Sequence, residues 1–532
     1  MSKRISSSDL ESMLADGAEI AFLDVREPVD FGSGHAFLAV NIPRGRMELE
    51  LTQRVPRPTT RMVLCDGGGG DEDADRAAAR LAELGYDNVS VLDGGAAAWA
   101  AAGHELFTDI EVPVKAFTAF AEHHGGAAFI TPADLKARLD RGAPTVVLDA
   151  RPGPEYASGH VPGAYDAPGP DVLRSVADLA PDPETLVVVN CMSRTRGILG
   201  SLGLRKSDVP NPVVALLDGT HGWRLAGYAL EKGPGKTAPP PSASGLAAAQ
   251  RRAAILAGRA GVPRIDHAAL ARWRADAGRT VYVIDLRDAQ AYAQGHLAGS
   301  ISAPAGNAIM TPDRFAATMN ARVVLVDDDG VRAPVTAFWW HQFGWYEVAL
   351  LDAPFVGQTL ETGAAKPAVL GIGQARPKPV SAADAAGALA RGEAALIDLS
   401  SRDAYRAGHP VGSAWALRSR LVAAVQALQP PPAAVILTSD DGVLARLAAA
   451  ELETAGVSVA VIDGGNGAWR AAGLAEEAGD GEQLSPPVDR WLRSAERPGD
   501  PEANIRAYLA WETSLLEQVE RDGGAPYRSC LD

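Results

Sequence analysis

The chain has only three cysteines in 532 residues, Cys65, Cys191 and Cys530. That is too few for a disulfide framework and points to a reducing compartment, with the cytoplasm as the default. Positive charge is also short. Fifty Lys and Arg against 66 Asp and Glu leave a net charge of −16. Such a field disfavours nucleic acid and membrane surfaces as partners, and an anionic substrate has to be drawn in locally by a few arginines. No uninterrupted apolar run is long enough to span a bilayer. The first residues, Met1 to Asp9, carry basic side chains but lack the apolar stretch of an ordinary secretory signal. The histidines and cysteines show no metal-ligand spacing. Aromatics make up 6% of the residues, so those that recur at fixed positions are informative.

A chain of this length is too long for one core, and the length prior suggests roughly three to five domains. The sequence supplies four copies of one pattern: an apolar strand ending in Asp, a polar turn, an aromatic, then Gly-His. The copies are Asp24…Phe31…Gly34-His35, Asp149…Tyr156…Gly159-His160, Asp285…Tyr292…Gly295-His296 and Asp398…Tyr405…Gly408-His409, with one Asp-to-His spacing throughout. A second marker closes three copies: Leu92-Asp93-Gly94-Gly95 with Trp99, Leu217-Asp218-Gly219 with Trp223, and Ile462-Asp463-Gly464-Gly465 with Trp469. The third copy keeps only Leu351-Asp352-Ala353-Pro354.

Short apolar runs ending in Asp, such as Val146-Val147-Leu148 and Ala395-Leu396-Ile397, suit buried parallel strands. A second strand follows in each copy, as in Met62-Val63-Leu64 and Val187-Val188-Val189, and a helix comes next, clearest at 74–84 and 444–455. The alternation predicts an α/β protein of parallel sheets covered on both faces, with ligands beyond the carboxyl ends of the strands. The expected units are 1–108, 127–233, 262–363 and 379–478, with a Pro/Gly/Ser-containing linker at 234–261 and a C-terminal tail with a helix at 479–532.

One loop stands out. In Val189-Asn190-Cys191-Met192-Ser193-Arg194-Thr195-Arg196-Gly197 a buried strand meets a cysteine, two arginines and the start of a helix. Converging N–H groups and the helix dipole favour thiolate there, and the thiolate is the nucleophile. Arg194 and Arg196 offer forked donors suited to an oxyanion. The reading is a loop that accepts a sulfur atom as a persulfide on Cys191.

These segments resemble the rhodanese family of sulfurtransferases, and the resemblance covers nearly the whole chain apart from linkers and tail. It implies four rhodanese-like domains of about 100–120 residues, each a parallel five-stranded sheet flanked by helices. It also implies a cysteine cycling between thiolate and persulfide, with no cofactor. Sulfane sulfur would pass from thiosulfate or a similar small donor to a thiol or cyanide acceptor, or to a protein acceptor. Cys191 is then the expected sulfur carrier, with Arg194, Arg196, Met192, Ser193, Thr195 and Gly197 around the substrate.

Aligned at the cysteine, the other loops read Cys65-Asp66-Gly67-Gly68, Asp327-Asp328-Asp329-Gly330 and Ser439-Asp440-Asp441-Gly442. Units three and four have no thiol and carry carboxylates that repel an anion, so both are expected to be inactive, their loops serving as helix caps. Cys65 is a candidate second site or the remnant of one. Because the Gly-His residues occur with and without a thiol, His160 is expected to be structural, as are Asp149 and Arg151. His221 is expected to pack, with a place at the pocket wall as the alternative. Two competing functions remain at this level: a non-enzymatic sulfur-carrying scaffold, and a phosphatase or arsenate reductase-like enzyme, whose loop would place the arginine one residue further from the cysteine.

Overall fold

The computed structural model describes residues 3–523 and 525–531. Met1, Ser2, Gly524 and Asp532, which fall within the expected first unit and tail, lie outside the described residues. The four units repeat one strand order. In unit one it runs Lys3–Ile5, Val89–Leu92, Met62–Cys65, Ala21–Asp24, Val40–Asn41. Units two and four add a sixth strand at the far edge, Lys236–Thr237 and Glu482–Gln483, while unit three keeps five. Within these four sheets the paired strands are parallel. Parallel strands need covered crossovers, and helices supply them on both faces. In unit one, helix Asp73–Glu83 turns Ala74, Ala77, Ala78 and Leu81 onto the sheet, the i, i+3, i+4, i+7 spacing of one buried stripe.

The repeated markers are fold hardware. Each Gly-His histidine is buried and stacks on the aromatic four residues before it. The ring separations are 3.8, 3.9, 3.8 and 3.6 Å for Phe31–His35, Tyr156–His160, Tyr292–His296 and Tyr405–His409. Nδ1 of each also lies within hydrogen-bond reach of that aromatic's carbonyl. The backbone beside each histidine pairs antiparallel with the segment leaving the unit: His35 with Phe107, His160 with Glu231, His296 with Glu361, and His409 with Glu477. The strand-end aspartates Asp24, Asp149 and Asp285 hold Arg26, Arg151 and Arg287, which in turn donate to the Gly34, Gly159 and Gly295 carbonyls. Unit four has Ser400 in place of that arginine, and Asn466 donates to both Asp398 and the Ser400 hydroxyl instead.

The units do not hang on linkers. Of the stretch 234–261, the part Ala243–Arg259 is a 17-residue helix capped by Ser242, with Ala249, Ala253 and Leu256 buried. It lies between unit two and unit three, and one apolar cluster runs through both, from Val189 and Leu202 to Leu256, Trp339 and Val323. Alanine-rich stretches with Pro at their head read as spacers in sequence, but here the small side chains permit close helix packing. Units one and four meet through charge. Arg418 donates to both oxygens of buried Glu48, at 2.8 and 3.0 Å, and to Glu451 at 2.8 Å. Among the described residues no helix is long and apolar enough to cross a membrane.

Removing one partner of a buried charge pair leaves the other desolvated and uncompensated. Arg80 also donates to Glu48, at 3.0 Å, so Arg418→Ala leaves that carboxylate with one cation and is expected to destabilise the protein by about 1–3 kcal/mol, as read from chemical denaturation. An unchanged midpoint would show that Arg80 alone compensates Glu48.

Candidate active site

The strand Leu186–Asn190 ends one residue before Cys191, and helix Thr195–Lys206 begins four residues after it. Between them the chain turns sharply, and a second segment holds the turn. Thr220 N–H donates to the Cys191 carbonyl and His221 N–H to the Met192 carbonyl, each at 2.9 Å. This contact explains the Asp-Gly marker. Gly219 sits at φ +58°, and a Cβ there would lie 2.4 Å from the Cys191 carbonyl oxygen. Gly95 and Gly465 make the same approach to Asp66 and Ser439.

Those contacts fix which residues are equivalent, and they correct the loop comparison for unit one. Asp149 pairs in register with Asn190, Asp24 with Cys65, Asp285 with Val326 and Asp398 with Thr438. Cys65 is thus the last strand residue, the counterpart of Asn190. The position of Cys191 is held by Asp66 in unit one, Asp327 in unit three and Ser439 in unit four. In those three units the side-chain oxygen accepts the N–H of a residue opening the following helix: Ala74 to Asp66 at 3.1 Å, Ala333 to Asp327 at 2.8 Å, and Ala445 to Ser439 at 3.3 Å. In unit two that acceptor is sulfur, because the Gly197 N–H is directed at Cys191 Sγ. A Cβ at Gly197 would come 3.6 Å from Sγ. The thiol of Cys65 instead donates to the Asp66 carbonyl at 3.3 Å, and burial, with the Asp24 charge next, pushes its pKa well up.

Cys191 itself is 2% exposed. Burial raises its thiol above the ordinary value, while the Arg196 charge and the Gly197 N–H pull the other way. The sequence expectation of a thiolate favoured at rest is thus modified, because desolvation outweighs those two effects. The two arginines separate. Arg196 stays beside the sulfur, held by a two-bonded pair with Glu155 at 3.1 and 2.8 Å. Arg194 pairs with Glu122 at 2.5 Å and Asp218 at 3.2 Å, and it is not among the residues lining the cavity over Cys191. Those two carboxylates are remote in sequence, which is why the arginine pattern alone suggested two substrate ligands.

That cavity has a volume of about 890 Å³ and belongs to several units at once. Cys191, Arg196 and His221 face it from unit two, His35 from unit one, Met310 from unit three and Tyr508 from the C-terminal helix Pro501–Asp522. Met192, Ser193 and Thr195 also line it. His221 is buried with its Nδ1 unpartnered, and burial, then the charges of Arg224, Arg151 and Arg493, lower its pKa to about 4. It is neutral at pH 7. Unit one has Ala97 and unit four Gly467 at this position, and that contrast was the signal available in the sequence.

A strand-turn-helix loop with a sulfur at the helix mouth, on a five- or six-stranded parallel sheet, defines the class, and the chain belongs to the rhodanese-like domain family. Four matches to the rhodanese-like domain, at 6–102, 131–226, 267–357 and 381–472, cover most of it. The whole chain is similar in structure to a thiosulfate sulfurtransferase of Pseudomonas aeruginosa, with a TM-score of 0.95, 40% identity, and 99% of each chain covered. A sulfurtransferase of Allochromatium vinosum is 28% identical over 103 residues, 19% of this chain and 92% of its own length. A helix-turn-helix-type transcriptional regulator of Mycobacterium tuberculosis is 34% identical over 104 residues, 20% of this chain, and the match spans 45% of that regulator.

Gly219→Ala forces a Cβ into the loop carbonyls at a left-handed φ, costing about 1–3 kcal/mol in backbone strain alone. It is expected to slow alkylation of Cys191 together with the loss of stability. Cys65→Ser, by contrast, is expected to leave sulfur transfer at the parental rate in a coupled assay. A large loss would restore Cys65 to the site.

Proposed function

We propose that this protein is a thiosulfate sulfurtransferase of rhodanese type that works through a persulfide on Cys191. The observation that carries the reading is the sulfur in place of a capping oxygen: the one loop of four that offers a nucleophile at the helix mouth also opens onto a cavity beside an arginine. The full-length likeness to the Pseudomonas enzyme supports the same donor.

The exchange is a two-step displacement. The Cys191 thiolate attacks the outer sulfur of thiosulfate, the sulfur–sulfur bond of the donor breaks, and sulfite leaves with the bonding pair. A thiophilic acceptor, cyanide, a thiol or a protein thiol, then attacks the outer sulfur of the persulfide, and Cys191 leaves as thiolate. Arg196 offsets the charge that moves in both steps, and the N–H groups opening the helix face the terminal sulfur. This is covalent catalysis with ping-pong kinetics. Among the described residues no disulfide joins the cysteines, which fits a reducing cytoplasm. Arg194, paired with two carboxylates, acts by holding the loop rather than by touching the donor.

Incubation with thiosulfate is expected to add the mass of one sulfur atom to the parent chain, mapped to Cys191, and Cys191→Ser is expected to abolish both loading and turnover. Burial raises the thiol pKa, so the sign of the pH effect follows: the thiolate fraction falls as pH drops, and the rate of alkylation by iodoacetamide rises with pH through neutrality. A serine variant that turned over thiosulfate at the parental rate would end the assignment.

A further inference from the structure

The C-terminal helix lies outside all four rhodanese-like matches, yet it reaches the Cys191 loop. Along one stripe it anchors to unit one. Leu515 and Val519 are buried against Phe37, Phe107 and Val112, and Gln518 donates to the Leu106 carbonyl. One turn earlier, at i, i+4 spacing, it presents Tyr508 and Glu512 to unit two. Thr195, the first residue of the helix after Cys191, donates its hydroxyl to Glu512 Oε1 at 3.1 Å. The Ser193 hydroxyl lies beside both the Tyr508 phenol and the Glu512 carboxyl. Glu512 is 3% exposed, and its Oε2 has no partner of full hydrogen-bond geometry.

We propose that Glu512 is a positioning residue for sulfur transfer, which holds the Cys191 loop from outside the domain and sets how much negative charge the sulfur must share its site with. The proposal rests on Cys191 as the sulfur carrier. A buried acid facing a reactive sulfur is repulsive when both are ionised, and low dielectric makes that repulsion strong. The groups around Glu512 are Lys115 from helix Val112–Gly125, Arg194 and Cys191 from the loop, and Tyr508 from its own helix. Lys115 is neutralised mainly by others. It bonds Asp109 at 2.8 Å and the Ile110 carbonyl at 2.7 Å, and Asp109 also takes Arg497 at 2.5 Å. Arg194 is taken by Glu122 and Asp218. With its cationic neighbours committed elsewhere, burial wins and raises the Glu512 pKa, while an ionised Glu512 raises that of Cys191. Negative charge on Glu512 therefore opposes negative charge on the sulfur, so the ionised fraction of Glu512 bears on the midpoint of the Cys191 thiol. Glu512 forms no bond to sulfur.

Full-length Glu512→Gln keeps the shape and the Thr195 contact and removes the charge. Alkylation of Cys191 across pH is expected to show its midpoint moved down, with roughly threefold or more faster reaction on the acid side, as befits loss of a close charge coupling. Glu512→Ala removes the hold as well. It is expected to lower kcat with thiosulfate by about tenfold while KM changes little, a loss that Glu512→Gln partly rescues. A midpoint identical to the parent in both variants, or equal kcat loss in both, would overturn the role of Glu512. Because alkylation does not depend on turnover, this holds apart from the main reading. If the parent chain fails to load sulfur, the sulfurtransferase assignment falls, whereas a loaded parent with an unmoved midpoint refutes only the positioning role.

Discussion

A strand that turns directly into a helix leaves N–H groups with no intrahelical partner, and something must accept from them. That constraint recurs four times in this chain and organises the rest of it. Asp66, Asp327 and Ser439 meet it with oxygen, the ordinary capping solution. Cys191 meets it with sulfur. The donors that meet a capping oxygen in the other units meet sulfur here, so the Cys191 loop differs from the other three in its acceptor atom, while the arginine five residues on is shared with unit three, whose Arg332 is paired with Asp171.

The other three units shape the cavity over Cys191. Unit one carries the C-terminal helix into place, unit three supplies a wall of the cavity, and unit four is tied to unit one through Glu48 and Arg418. Cys191 is 2% exposed, and residues of units one and three and of the C-terminal helix wall the cavity over it. Within that enclosure burial raises the thiol pKa, while the Arg196 charge and the Gly197 N–H act the other way.

Much of this was legible in the residues. Apolar runs ending in Asp, the constant Asp-to-His spacing and the Asp-Gly turns encode strands, stacked rings and the close approach at Gly219, all local effects of short chain segments. The parallel α/β class and the four units followed from them. Three things were not legible, and each depends on partners far along the chain. Cys65 and Cys191 look alike beside their strands, and only inter-strand register shows Cys65 one residue early. Arg194 was read with Arg196 because Glu122 and Asp218 lie well away from it in sequence. Glu512 carries no motif, so nothing short of the docked helix could bring it to the site.

The helix Ala243–Arg259 has one more implication. Its buried face is shared, with residues of unit two on one side and of unit three on the other in a single apolar cluster. A boundary drawn by repeat length would cut through that cluster and expose Trp339 and Leu256 to solvent. The middle of the molecule should therefore melt as one cooperative block, with unit two borrowing rigidity from unit three.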